Sequence, residues 1–242
     1  MEGPSLVILK EEVQPFVGKK ILSATGNAKF GIERIQNLKV VDFKTWGKHF
    51  LICFPKFYLR VHFLMFGSYR VNETKEQAPR LALLFKNGEL NLYNCAIRLE
   101  EGNPDDVYDY EVDVMSPTWN ATKALKASKA KPDALVCDLL LDQNIFAGSG
   151  NIIKNEALFR QRVHPESRVG ALKPKRLKGL IDETRNYSLE FYELKKIYQL
   201  SKHWQVFKKR KCTNCGGPVE QRKTGKLMRR NFTCYNCQQL FV

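Results

Sequence analysis

Asp142-Gln143-Asn144-Ile145-Phe146-Ala147-Gly148-Ser149-Gly150-Asn151-Ile152-Ile153-Lys154-Asn155-Glu156-Ala157-Leu158-Phe159 holds a break and a restart in one helical pattern. Leu135, Leu139 and Leu140 make an apolar face before it, Gly148-Ser149-Gly150 interrupts the period, and Ile152–Gln161 resumes it. A helix that begins at Asn151 leaves its first backbone N–H groups without intrahelical partners. Those donors, the Asn151 side chain and the small residues beside it suit a phosphate. A plain glycine turn with Asn151 as cap is the alternative on this stretch alone.

Outward from this break the chain changes character twice. Toward the N-terminus, Leu38–Cys95 carries a period of two: Val41, Phe43, Phe50, Ile52, Leu59, Val61, Phe63, Leu81, Leu83, Phe85, Leu90 and Leu92 fall in short alternating runs. Asn87-Gly88 marks a hairpin turn between two of them. Leu6, Leu9, Val13 and Phe16 share one face of an N-terminal helix over Pro4–Gly18. Glu100–Asp113 is acidic and reads as a loop, and Lys123–Lys131 as a linker or a solvated helix. Toward the C-terminus a long helix is expected over Pro174–Gln199. The predicted fold class is therefore α+β and multidomain. An antiparallel β-sandwich with an N-terminal helix occupies 1–120, a helical domain 121–204 and a small cysteine-rich module 205–242.

That module carries Cys212-x2-Cys215 and Cys234-x2-Cys237 across an 18-residue spacer. Two such knuckles present four thiolates to one tetrahedral ion, and four protein ligands leave no open position, so the site reads as one structural zinc. A hairpin around Lys223–Gly225 fits the spacer, which also concentrates Arg222, Lys223, Lys226, Arg229 and Arg230. The whole chain has 40 Lys+Arg against 25 Asp+Glu, a net charge of +15, which favours a polyanionic partner, nucleic acid above all. No basic amphipathic helix or polybasic terminal run favours a membrane surface. No apolar run is long enough to span a bilayer, and no signal peptide is expected from Met-Glu-Gly-Pro at the start. Cys53, Cys95 and Cys137 lie in apolar segments and read as buried thiols, which points to a reducing, intracellular location.

The quoted stretch, followed by Val163-His164-Pro165, resembles the helix–two-turn–helix motif of the Fpg/Nei family of DNA glycosylases. The four-cysteine finger resembles that family's C-terminal finger, Gln205-Val206-Phe207 the segment leading into it, and Glu2-Gly3-Pro4 its amino terminus. The resemblance runs along almost the whole chain. It implies a base-excision-repair enzyme that flips a damaged base out of double-stranded DNA, removes it and nicks the abasic site by β/δ-elimination through a Schiff base on the N-terminal amine. It also implies a monomer that is cytoplasmic and nucleoid-associated.

Carried onto this sequence, the resemblance assigns roles to particular residues. The family's usual start is Met-Pro-Glu, with proline as nucleophile; this chain reads Met1-Glu2, which puts the Met1 α-amine in the proline's place. An α-amine with a pKa of about 7.7–8.0 is partly unprotonated at neutral pH, as a nucleophile must be. Glu2 resembles the general acid/base and Lys48 the sheet-domain lysine that touches phosphate and assists β-elimination. Arg229 resembles the finger arginine that clamps phosphates and assists δ-elimination, with Arg230 its neighbour. Asn151 resembles the phosphate-gripping asparagine, and Lys154 one turn later joins it as a DNA contact. His62-Phe63-Leu64-Met65-Phe66-Gly67 resembles the loop that enters the duplex, with Met65 as gap filler and Leu64 and Phe66 beside it. Asn94-Cys95-Ala96-Ile97-Arg98-Leu99 stands where the Fpg branch has an Arg-Arg-Phe-Gly insert, and Ser5 where it has a second glutamate. Both favour the Nei side and oxidised pyrimidines. An oxidised-purine glycosylase and a lyase-deficient damaged-DNA-binding protein are the alternatives.

Overall fold

The computed structural model describes residues 1–242 and divides into two compact units, Met1–Asp109 and Tyr110–Val242. The first unit opens with α1 (Gly3–Glu12), which ends in a single 3-10 turn at Gln14–Phe16. Six strands follow: β1 (Ser23–Thr25), β2 (Asp42–Trp46), β3 (His49–Cys53), β4 (Phe57–Val71), β5 (Leu81–Phe85) and β6 (Gly88–Glu101). They form one antiparallel sheet in the order β1-β5-β6-β4-β3-β2. The long strands β4 and β6 run through its centre and belong to both halves, so the expected layers are parts of one continuous sheet.

Alternation decides which side chains fill this unit. Phe43, Phe50, Ile52, Leu59, Val61, Leu81, Leu83, Leu90 and Leu92 are all buried, together with Leu6, Leu9, Val13 and Phe16 from the N-terminal segment. Phe16 stacks on Phe85 with ring centroids 4.5 Å apart. Each large apolar side chain fully removed from water contributes about 1.5–3 kcal/mol, and the helix is held by that burial more than by its own propensity. The hairpin signal at Asn87-Gly88 is one residue early in its effect. Phe85 pairs with Gly88, so the turn is Lys86-Asn87 and Gly88 begins β6. Gly88 has φ +147, and a Cβ there would meet Asn72 Oδ1 at 2.0 Å.

The second unit is helical with a hairpin at its end. Its helices are α2 (Ala121–Lys129), α3 (Val136–Leu139), α4 (Asn151–Arg160) and α5 (Pro174–Lys196), and its strands are β7 (Glu220–Thr224) and β8 (Arg229–Thr233). The basic stretch read as a linker or solvated helix is α2, capped by Asn120, whose side chain accepts from Lys123 N at 3.0 Å. Its Ala124 and Ser128 are buried. No helix is long and apolar enough to cross a membrane.

One helix organises this unit. α4 turns a polar side inward, with Lys154, Asn155 and Glu156 at most 1 % exposed. Glu156 accepts the backbone N–H groups of Gln205, Val206 and Phe207 at 2.9, 3.0 and 2.8 Å. Asn155 accepts Phe232 N at 2.8 Å and donates to Arg230 O at 3.3 Å, tying α4 to β8. Arg160, at the other end of α4, forks onto Glu190 of α5 at 2.6 and 2.7 Å. The expected hairpin turn shifts toward the C-terminus, to Gly225–Met228, because α3 holds it there. Asp138 accepts Lys226 N at 2.9 Å, and Gly225 has φ +77 with no room for a Cβ beside Asp138 Oδ1 at 2.4 Å.

Glu156→Ala would deprive three backbone donors of their acceptor, two of them buried, and a buried donor left unsatisfied costs about 1–3 kcal/mol. Urea unfolding should show a loss of about 3 kcal/mol or more, with Glu156→Gln losing less because its amide oxygen still accepts.

Candidate functional site

The first unit brings three cationic or titratable groups toward one place. Glu2 is the N-cap residue of α1 in extended conformation, and its carbonyl accepts Ser5 N at 3.0 Å. Its side chain makes no capping bond. Met1 is half-buried, with its side chain packed against the sheet core. Lys48 lies at the tip of the β2–β3 hairpin, where Trp46 pairs with His49 and Gly47 takes φ +57, a position suited to glycine in a two-residue turn.

His62 on β4 lies beside Lys48 and within electrostatic reach of the N-terminal amine. Its Nδ1 lies 3.2 Å from Lys48 O; a carbonyl only accepts, so Nδ1 carries the proton. Burial lowers the His62 pKa below the usual 6.5, and the positive charges of the N-terminal amine, Lys48 and Arg60 lower it further. The amine, Lys48 and His62 therefore share one electrostatic neighbourhood. Behind it His49 packs edge-on against His62, centroids 5.5 Å apart, and beside Trp46 and Tyr108. Burial, then Arg60 and His62, pushes the His49 pKa down to about 4, so its ring is neutral at pH 7. The signal for both histidines is a polar ring within an otherwise apolar strand pattern.

On the same unit β4 loses its pairing between Phe63 and Ser68. Phe63 is buried in the core at 4 % exposure, whereas Leu64, Met65 and Phe66 project, exposed by 47, 69 and 91 %. Phe66, not Met65, is the most exposed, and it takes φ +64, a left-handed conformation rare for an aromatic residue.

The second unit assembles a separate set. Gln143 braces the turn before α4: its Nε2 donates to Leu141 O and Ser149 O at 2.8 and 3.1 Å, and its Oε1 accepts Gly148 N at 3.0 Å. Gly150 is the N-cap of α4 in extended conformation and offers no side-chain cap. Asn151 Oδ1 accepts Lys154 Nζ at 2.9 Å, which commits the acceptor end of the amide. Lys154, expected as a DNA contact, is instead 0 % exposed and also donates to Arg230 O at 3.3 Å. Its charge is spent bridging Asn151 to β8. Arg229 and Arg230 are exposed on β8, and alternation sends their side chains to opposite faces of the hairpin.

The four sulfurs of Cys212, Cys215, Cys234 and Cys237 lie within 4.8 Å of one another. Cys212 Sγ lies 3.7 Å from Cys237 Sγ, and Cys215 Sγ 3.5 Å from Cys234 Sγ. Tetrahedral thiolates 2.3 Å from a zinc-sized ion would be about 3.8 Å apart, so the cluster fits one ion. Asn214 N and Nδ2 point at Cys212 Sγ and Cys237 Sγ from 3.4 and 3.3 Å, as donors supporting thiolates would.

Residues 113–193 match the formamidopyrimidine-DNA glycosylase H2TH domain. The chain is 32 % identical to mouse (Mus musculus) endonuclease 8-like 3 over 205 residues, covering 81 % of this chain and 34 % of that protein. It is 34 % identical to mouse endonuclease 8-like 2 over 198 residues, covering 75 % of this chain and 58 % of that protein. The chain thus spans about a third to under three fifths of the length of these relatives. Its fold is that of a viral DNA glycosylase, with TM-score 0.86 and 19 % identity over 99 % of this chain and 100 % of that one. It is also that of Lactococcus lactis formamidopyrimidine-DNA glycosylase bound to abasic-site DNA, with TM-score 0.85 and 22 % identity over the same shares. Helix–two-turn–helix domain, sequence relatives and fold agree: the chain belongs to the Fpg/Nei family, close to its Nei branch.

Proposed function

We propose that this chain is a bifunctional DNA glycosylase and abasic-site lyase that works on oxidised bases, pyrimidines first, as a monomer inside the cell. The observation that carries the reading is the shared neighbourhood of the N-terminal amine, Lys48 and His62 on a unit that also projects an apolar loop. In the proposed reaction the Met1 amine adds to the deoxyribose C1′ as the damaged base leaves. Loss of the ring oxygen bond then gives a Schiff base, with Glu2 protonating the opening ring and moving protons during elimination. Lys48 holds the phosphate and assists β-elimination, and Arg229 assists δ-elimination. Asn151 and Arg230 bind phosphate, and Lys154 supports them from within the unit. Leu64, Met65 and Phe66 fill the gap left by the flipped base.

The parts divide the work. A sheet domain over 1–120 carries chemistry, a helix–two-turn–helix domain over 121–204 holds the DNA backbone, and a finger over 205–242 presents Arg229. The ion in the finger is read as a single zinc with a structural role, since four cysteines complete its coordination. It would be held by Cys212, Cys215, Cys234 and Cys237 and would supply rigidity to the β7–β8 hairpin. A lyase-deficient damaged-DNA-binding protein is the second reading. It is favoured by the absence of proline beside Glu2 and by the half-buried Met1 side chain.

Borohydride reduction of the chain with an abasic-site duplex should trap a covalent adduct on the Met1 amine. Acetylating that amine should abolish trapping while retaining DNA binding; an adduct that survives acetylation would place the nucleophile elsewhere, and no adduct at all would favour the second reading. Arg229→Ala should weaken binding to every duplex and reduce the slope of log K against log salt by about 1. Metal analysis of that variant should still find one zinc per chain, whereas a variant lacking Cys215 should lose it.

A further inference from the structure

β4 and β6 pair in register on both sides of one interruption. Phe63 lies opposite Cys95 and Ser68 opposite Tyr93, so the four residues Leu64–Gly67 stand against the single residue Asn94. No second loop interrupts β6 there, because the strand runs unbroken from Gly88 to Glu101. Asn94 itself takes φ +48, and its Nδ2 donates to Met65 O at 2.5 Å. On the far side of the loop Gly67 closes against the same residue: a Cβ on it would meet Asn94 O at 2.6 Å and Phe63 Cβ at 2.9 Å.

This arrangement holds up a loop that physics disfavours. Met65 and Phe66 expose apolar surface to water, and Phe66 is kept in a left-handed conformation that costs free energy unless neighbours offset it. Asn suits the opposing position on two counts. It tolerates the left-handed region, and its amide reaches a backbone acceptor on the loop.

We infer that Asn94 is a positioning residue that latches the Leu64–Gly67 loop in its projecting form, so that one braced wedge does the work of gap filling. The inference rests on the wedge role proposed above for Leu64, Met65 and Phe66. Asn94 acts through the Met65 carbonyl and leaves the reacting atoms to other residues.

Asn94→Gly is the decisive variant, because glycine keeps the left-handed backbone and deletes only the donor. Asn94→Asp keeps the backbone preference and sets an anionic acceptor against the Met65 carbonyl. In the free protein, amide hydrogen exchange at residues 64–67 should speed up by about threefold to tenfold in both variants, the range for one net hydrogen bond, while the thermal midpoint stays unchanged. With a duplex carrying 2-aminopurine opposite a tetrahydrofuran abasic analogue, the fluorescence change on insertion should slow by a similar factor. Affinity for undamaged duplex should be unchanged. Wild-type exchange in the Asn94→Gly loop would overturn the latch. Faster loop exchange in the Asn94 variants, with no fluorescence change when the wild-type protein meets the analogue duplex, would instead overturn the wedge role beneath it.

Discussion

The second unit depends on a carboxylate with no solvent to neutralise it. Glu156 is fully buried and is stabilised by three backbone N–H groups from the segment that leads into the finger. Burying a charge is costly unless it is hydrogen-bonded, and these three bonds offset that cost. The same helix uses Asn155 to register β8 and Lys154 to join Asn151 to the Arg230 carbonyl. The position of Asn151 relative to the finger strand is thereby set by hydrogen bonds inside the unit. A small module with little core of its own gains a fixed place from α4, from Asp138 at its turn and from its sulfur cluster.

The first unit follows different physics. Its core is apolar and alternates along long strands, and the candidate groups lie at the Gly47-Lys48 turn, on the less buried face of β4 at His62 and at the interruption after Phe63. Strain and exposure collect at those points, as with Phe66. The low pKa of His49 keeps a neutral ring beside His62, which limits the positive charge massed near the N-terminal amine.

Features set by local spacing were legible in the sequence. The C-x2-C pairs converge as their turns require, α4 begins at Asn151 after the glycine break, and the alternating runs become the sheet. What was not legible depends on partners far along the chain. Lys154 reads as a surface cation, and only the approach of β8, more than seventy residues later, buries it. The β7–β8 turn sits at Gly225–Met228 because Asp138, 88 residues earlier, accepts Lys226 N. The exposure of Phe66 above Met65 follows from a left-handed backbone that no alternation pattern announces. His62 gains its place from a Lys48 carbonyl that its own strand does not contain.

The central claim is that this chain removes oxidised bases and cuts the strand, beyond holding DNA. Single-turnover gel analysis of duplexes containing thymine glycol, 5-hydroxyuracil, 8-oxoguanine or an abasic site, beside an undamaged control, tests it most directly. The account predicts strand cleavage at the abasic site and at both oxidised pyrimidines, slower cleavage at 8-oxoguanine and none in the control. Tight, damage-selective binding with every strand left intact would contradict it.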